Sequence, residues 1–246
     1  MEKPEYPMRI NKYLAHRKYA TRKGGDELVA NGKVFINGKR AVLGDKVHEH
    51  DVVEVKQKGA PKKYVYYAYN KPKGVITHSP QNGEEDIRQA LPHLKNVFHV
   101  GRLDKNSYGL IILTNDGRIT DPLLNPAYDH DKEYVVSVKE VLRPSFEENI
   151  EKGVKIDDYT TRPCTVNVIN DHRFSITLTE GKKHQIRRMC ETLHLTVTDL
   201  KRVRILNISL GKLLPGEYRP IAGKELDMFL SNLGFDRPQT IRESTQ

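Results

Sequence analysis

Cysteine is scarce in this chain: Cys164 and Cys190 are the only two, they lie far apart, and neither belongs to a C-x-x-C pattern. That excludes a disulfide framework and a thiolate metal site, and it fits a reducing compartment. Long apolar runs are missing as well. No stretch approaches the ~18 apolar residues of a membrane-spanning helix, and "MEKPEYPMRI" places charges and prolines where a secretory leader needs an apolar segment. A cytoplasmic protein with no membrane partner is the expectation. There is no phosphate-binding loop, no dinucleotide fingerprint, and no G-x-S-x-G context around Ser107. The histidines of "HEH" (48 to 50) share one strand face, but no third ligand accompanies them, so an exposed edge outweighs a metal site. Carboxylates are scattered singly or in surface-like pairs such as Glu84-Glu85 and Asp157-Asp158, without the clustering a metal-dependent nuclease requires. Neither a metal nor a cofactor is expected.

What the chain does have is charge of one sign. Its 41 Lys and Arg outnumber 32 Asp and Glu for a net charge of +9, the balance of a protein that meets polyanions. Nucleic acid is the leading partner. With 246 residues, 37% hydrophobic and 30% charged, the composition suits a soluble globular protein of two domains. The basicity is concentrated at the front, where residues 1 to 58 hold 13 Lys and Arg against 8 Asp and Glu. "KQKGAPKK" (56 to 63) can neither pack a core nor continue a strand. The expected organisation is therefore a first domain over 1 to 58, a linker over 59 to 63, a second domain over 64 to 236 and a flexible tail over 237 to 246.

In "RINKYLAHR", Ile10, Tyr13 and Leu14 fall at i, i+3 and i+4, the stripe of an amphipathic helix. Thr21 offers an N-cap for a second helix reaching Leu28 and Val29, although Gly24 and Gly25 weaken its first turn. Asn37-Gly38 supplies a tight hairpin turn within "KVFINGKRAVL", and "DVVEV" closes the module as a short strand. This order, with "GKVFINGKR" at its centre, resembles the alpha-L RNA-binding module of ribosomal proteins. Arg9, Lys12, Arg17, Arg22, Lys39 and Arg40 would then neutralise RNA phosphates, giving salt-dependent affinity with little reading of sequence.

In the second half, "YVYYAYNKPKGVIT" reads as a strand up to Tyr69, broken by "NKPKG". Further strands are expected at 110 to 114, 133 to 139, 164 to 169, 173 to 179 and 204 to 210, and helices near 86 to 90, 144 to 151, 183 to 194 and 224 to 233. Strands dominate, interrupted irregularly by helices, which predicts an α+β fold with a mainly antiparallel sheet. Within "GRLDKNSYGLIILTNDG" (101 to 117), "LIIL" is a buried central strand, so Asp104 sits on a loop braced by the core. Such a loop can position a catalytic group, or its Arg102 and Asp104 can simply cap the turn. In "EGKKHQIRRMCETL" (180 to 193), about 100° per residue puts Ile186, Met189, Cys190 and Leu193 on one buried helical stripe. Arg188 then points away from the core, while Arg187 at the stripe's margin can turn inward toward a buried carboxylate. "KRVRI" (201 to 205) adds a basic strip beside a strand.

"GRLDKNSYGLIILTNDG", with "NKPKG" upstream and "DKEYVV" and "GKKHQIRRMCE" downstream, resembles the RNA pseudouridine synthases of the RsuA class over nearly the whole chain. The resemblance implies a small RNA-binding domain followed by a mixed-sheet catalytic domain that isomerises a uridine in folded RNA without cofactor or metal. Asp104 would be the essential catalytic residue, Arg102 would fill the space left by the flipped base, Tyr134 would stack on the uracil, and Arg187 would pair with Asp104. Lys73, Lys182 and Arg188 would extend the RNA contacts. Asp104 would act either as nucleophile toward the sugar or as base at the ribose C2 proton. The implied substrate is large-subunit (23S) ribosomal RNA, with small-subunit ribosomal RNA or transfer RNA as alternatives, and a monomer is expected. A non-catalytic ribosome-assembly factor is the competing reading, against which the intact set Asp104, Tyr134 and Arg187 speaks. Two positions depart from the family pattern: Asn106 stands where Asp is common, and Tyr108 precedes Gly109.

Overall fold

In a computed structural model of the protein, which describes residues 5–56, 63–77, 85–94 and 96–235, the front stripe forms helix α1 (Ile10–His16) directly after strand β1 (Met8–Arg9). Of the expected linker only Lys63 is among the described residues, and the expected tail lies outside them. The chain separates into two compact units, one running up to Tyr64 with Asp116–Asp121, the other built from Val65–Asn115 and from Pro122 onward.

In the first unit, Thr21 caps helix α2 (Arg22–Ala30), its side chain accepting the Gly24 N–H at 3.0 Å. The two glycines do not prevent the helix. Gly25 is buried, and a Cβ there would lie 3.3 Å from the Asn11 Cα, so its lack of a side chain lets α2 pack closely on α1. Strands β2 (Val34–Ile36) and β3 (Lys39–Arg40) meet at Asn37 and Gly38, both with positive φ, as a two-residue hairpin turn demands. Strand β4 (Lys46–Val47) pairs with β1, and β5 (Val53–Val55) pairs with β2. Ile10, Tyr13, Leu14, Val29, Val34 and Val47 fill the small core.

After Tyr64 the elements run β6 (Tyr66–Lys71), α3 (Ile87–Ala90), β7 (Phe98–Val100), β8 (Tyr108–Thr114), α4 (Thr120–Leu124), β9 (Lys132–Val138), α5 (Phe146–Glu151), β10 (Lys155–Ile156), β11 (Tyr159–Thr160), β12 (Thr165–Asn170), β13 (Arg173–Leu178), α6 (Gln185–Thr192), β14 (Val197–Ile205), β15 (Ile208–Ser209), β16 (Tyr218–Pro220) and α7 (Gly223–Asn232), all in the second unit except the first two residues of α4. That unit's sheet runs β12-β13-β9-β14-β8-β6-β16, with β7 on β8 and β15 on β14. Every pairing is antiparallel except β14 with β8. The fold is the expected α+β with a mainly antiparallel mixed sheet. "LIIL" is its centre: Leu110, Ile111, Ile112 and Leu113 are at most 1% exposed, and full burial of each such side chain is worth about 1.5–3 kcal/mol.

One strand lies elsewhere than expected. The apolar "ILNISL" suggests 204 to 210, but the strand begins at Val197 and ends at Ile205, because Leu206 takes a left-handed conformation (φ 50°) and turns the chain into β15. "KRVRI" is therefore the strand itself rather than a strip beside one. Among the described residues no helix is long and apolar enough to cross a membrane.

Candidate active site

Strand register assembles the site. Tyr134 of β9, Arg202 of β14 and Gly109 of β8 stand side by side across the centre of the sheet. Gly109 has φ +104°, and a Cβ there would fall 2.2 Å from the Arg202 carbonyl oxygen, so only glycine lets β8 approach β14. A register shift between Arg202 and Arg204 marks a bulge in β14 at the same level.

Before Gly109 the chain leaves the sheet in a turn closed by the Ser107 N–H on the Asp104 carbonyl at 3.0 Å. Leu103 is pinned beneath it, its carbonyl accepting from Thr77 Oγ1 at 2.6 Å while its N–H donates to the same hydroxyl at 3.2 Å. With Leu103 buried, Arg102 and Asp104 on either side are exposed. Beside them opens a cleft of about 750 Å³ whose wall includes Asp104, Ser107, Tyr134, Leu178, Leu200 and Arg202. That volume suits a nucleotide, and Tyr134, Leu178 and Leu200 give it an apolar side. The opposite lip is the 180 to 185 loop, held by buried Glu180, whose Oε1 accepts from Gln185 Nε2 at 2.6 Å and from the Arg162 N–H at 3.0 Å.

Arg187 is not where the resemblance puts it. Helix α6 starts at Gln185, and the Arg187 guanidinium reaches the Val197 carbonyl at 3.4 Å. The Asp104 carboxylate instead faces His184 Nε2 at 3.5 Å, presented by a residue with left-handed φ of 54° at the cap of α6. The buried stripe of Ile186, Met189 and Cys190 is as expected, but Gln185 is buried too, which turns the margin position sideways.

Two cations near Asp104 escape sequence reasoning. Lys71, the first lysine of "NKPKG", is fully buried and donates to the Pro72 and Val75 carbonyls at 2.9 and 2.7 Å. Burial pushes its ammonium down to about 8; the Asp104 charge opposes that shift and the Arg202 charge adds to it. Arg202, within the basic strip, is 4% exposed and donates through Nε to the Leu110 carbonyl at 2.7 Å. Alternation alone would put Arg202 and Arg204 on one face, and it is the bulge between them, invisible in the sequence, that separates the buried arginine from the half-buried one.

Of the expected RNA-contact residues, Arg9, Lys12, Arg17, Arg22, Lys39 and Arg40 are all exposed in the first unit, with Arg17 over the Tyr13 ring at 5.6 Å. In the second, Lys73 is exposed, ion-paired with Asp199 and 4.9 Å from the Tyr108 ring centre. Asp199 also accepts from the Tyr108 hydroxyl at 2.6 Å, so the unusual tyrosine ties β8 to the ion-pair partner of Lys73. Lys182 on the cleft lip stacks 3.8 Å from the Tyr159 ring, and Arg188 is ion-paired with Asp157. Among the described residues, no three His, Cys, Asp or Glu side chains gather in a way that would hold a metal ion.

A nucleotide-sized cleft with one accessible carboxylate and a tyrosine beneath it is the arrangement of an enzyme acting on a single base. Residues 65–192 match the RNA pseudouridylate synthase family and residues 8–53 match the S4 domain; the chain belongs to the RNA pseudouridylate synthase family, whose members are isomerases. Among its relatives, the dual-specificity RNA pseudouridine synthase RluF of Escherichia coli (strain K12) is 39% identical over 231 residues, spanning 92% of this chain and 80% of that protein. Ribosomal large subunit pseudouridine synthase B of Bacillus subtilis (strain 168) is 31% identical over 228 residues, spanning 89% and 93%. A pseudouridylate synthase crystal structure shares the fold, with a TM-score of 0.66 over 92% of this chain and 99% of that one at 24% identity.

Proposed function

We propose that the protein converts a specific uridine of large-subunit ribosomal RNA to pseudouridine, with Asp104 as the essential group. The observation that carries this is Asp104 itself, its side chain 45% exposed at a cleft that buried Tyr134 also lines. The target base is flipped out of its stack at a cost of a few kcal/mol, recovered from phosphate contacts and from the base-shaped cleft. Arg102, exposed beside Asp104, fills the gap left in the RNA, and Tyr134 stacks on the uracil. Asp104 then attacks the sugar or removes its C2 proton. Residues 64 to 236 form the catalytic domain, and residues 1 to 58 supply the grip on RNA. The protein works as a monomer in the cytoplasm.

The name of one relative supports the large-subunit substrate, and the dual specificity of another makes a second uridine, in transfer RNA or elsewhere in ribosomal RNA, the alternative. Pseudouridine mapping of ribosomal and transfer RNA from cells with and without the gene decides between them. One site lost, restored by wild type and not by Asp104→Asn, is the expected result. No lost site, together with RNA binding by the purified protein, means a non-catalytic assembly factor.

The role of the first domain has its own test. Replacing Arg22, Lys39 and Arg40 with Ala weakens RNA binding by about 10-fold near physiological salt and lowers the slope of log affinity against log salt by about one per phosphate contact removed. These exposed side chains leave the small core untouched, so the thermal midpoint stays put. An unchanged salt slope excludes this face from the RNA interface.

A further inference from the structure

Folded proteins satisfy nearly all their buried polar groups, and a buried one left over points to a ligand. Two side chains on the wall of the Asp104 cleft are left over: Arg202 Nη2 and Ser107 Oγ are buried with no hydrogen-bond partner among the described residues. Arg202 cannot turn away to find one. Its Nε is held by the Leu110 carbonyl at 2.7 Å and its Nη1 reaches the Arg102 carbonyl at 3.5 Å, so the planar guanidinium leaves Nη2 a single direction. Ser107 is 1% exposed, in the turn that carries Asp104.

Charge adds to the geometry. Lys71 and Lys132 each feel Arg202 as an electrostatic neighbour, so three cations gather at this end of the sheet. The carboxylates of the cleft wall are Asp104, half exposed, and Glu180, which accepts from the Arg162 backbone N–H and the Gln185 side-chain amide. Lys71 has Asp104 and part-buried Lys132 has Asp131 as opposing charges, so it is Arg202, with no ion-pair partner among the described residues, that an arriving anion would satisfy. Directly opposed residues on neighbouring strands share a face, so Arg202 lies on the same face as its register partner Tyr134. A base lying against Tyr134 turns its edge toward the guanidinium.

The reaction supplies such an anion, and here the inference rests on the function proposed above. The C1′–N1 bond breaks with its electron pair staying on N1, so the base departs as an anion with charge spread over N1, O2 and O4. If Asp104 is the nucleophile, its oxygen bonds to C1′ as N1 leaves and is later displaced by C5. If it is the base, it takes the C2′ proton, the freed pair becomes the C1′–C2′ double bond, and the proton returns to C2′ as C5 bonds to C1′. In both routes C5 then loses its proton and N1 gains one, leaving an isomer. We propose that Arg202 Nη2 and Ser107 Oγ donate to the carbonyl oxygens of the departing uracil, making Arg202 a catalytic residue that stabilises the leaving base. Donors held rigidly where charge develops lower a barrier most, since nothing has to reorganise.

The test uses the full-length protein and a short RNA carrying the mapped uridine, or 2-thiouridine or 4-thiouridine in its place, because sulfur is a poor hydrogen-bond acceptor. Single-turnover rates are measured for wild type, Arg202→Met and Ser107→Ala. Arg202→Met slows uridine turnover about 100-fold with little change in RNA affinity. One thio substitution slows wild type and costs Arg202→Met nothing more, the non-additivity of groups in contact. Ser107→Ala, which loses no hydrogen bond within the protein, is folded like wild type, about 10-fold slower, and blind to the other thio substitution. Full thio penalties in both variants, or a wild-type rate in Ser107→Ala if Arg202→Met does not fold, overturn the assignment. Wild type that makes pseudouridine while these cycles stay additive sinks this assignment alone. Wild type that makes none on the RNA it binds sinks the proposed function, and this inference with it.

Discussion

Asp104→Asn abolishes pseudouridine formation, by about 10⁴-fold or more, and leaves RNA affinity within about 2-fold of wild type. The substitution keeps the shape of the side chain and removes its ability to act as nucleophile or base. The other change is at buried Lys71, which loses the opposing Asp104 charge. The turn is held by the Asp104 carbonyl and by Leu103 on Thr77, backbone contacts an asparagine preserves, and the carboxylate's neighbour is His184 Nε2 at 3.5 Å. The turn therefore stays intact, and the thermal midpoint falls by no more than about 4 °C, the shift of about 1 kcal/mol from the charge that Lys71 no longer faces. Nor can the other carboxylate of the cleft wall take over: Glu180 is 7% exposed and engaged by the Arg162 N–H and by Gln185. Single-turnover assays with mobility-shift titrations on the same RNA check both halves. Turnover near the wild-type rate would remove Asp104 from the chemistry.

How much of this was readable in advance depends on whether the cause was local. Asn37-Gly38, Thr21 and "LIIL" act on their own few residues, and each formed what its local chemistry predicts. Asp104 belongs with them, because a polar turn before a buried strand is visible without knowing the strand's neighbours. Long-range contacts were not readable. Gly24-Gly25 counts against a helix by propensity, yet the close approach of α1 to α2 needs Gly25, and that approach appears only in three dimensions. The strand near 204 was misplaced because an apolar run outweighed an alternating basic one. In the sheet, β14 is paired on both sides by β8 and β9, so the basic run is a central strand, and the turn falls at Leu206 with its positive φ. The placement of Arg187 and Arg202 escapes the sequence for the same reason: the helical wheel describes one helix, whereas the pairing Tyr134↔Arg202↔Gly109 depends on three strands distant in sequence.

Lys71→Met lowers kcat about 100-fold near pH 7.5 and removes an alkaline limb from the pH profile. The expected wild-type rate falls as pH rises through about 8, where the buried ammonium loses its proton and with it the positive charge that Asp104 feels. Stability moves the other way. A lysine whose folded pKa lies near 8 and whose unfolded pKa is the ordinary 10.5 binds fewer protons folded than unfolded between those values, so folding stability rises with pH across that window. Below about 8 both states carry the charge and the folded state bears the full penalty of burying it. Methionine keeps the length of the side chain but not the charge, so it loses both the alkaline limb of activity and this rise in stability. It also leaves the Pro72 and Val75 carbonyls without their donor, a cost of about 1–3 kcal/mol each that denaturation at a single pH would show. Profiles of kcat and of the urea midpoint from about pH 6 to 10, a range that brackets the titration, separate these effects. An alkaline limb of activity that survives in Lys71→Met would assign the titration to another group. In wild type, activity and stability are expected to move in opposite directions through the same titration, activity falling and stability rising as Lys71 loses its proton.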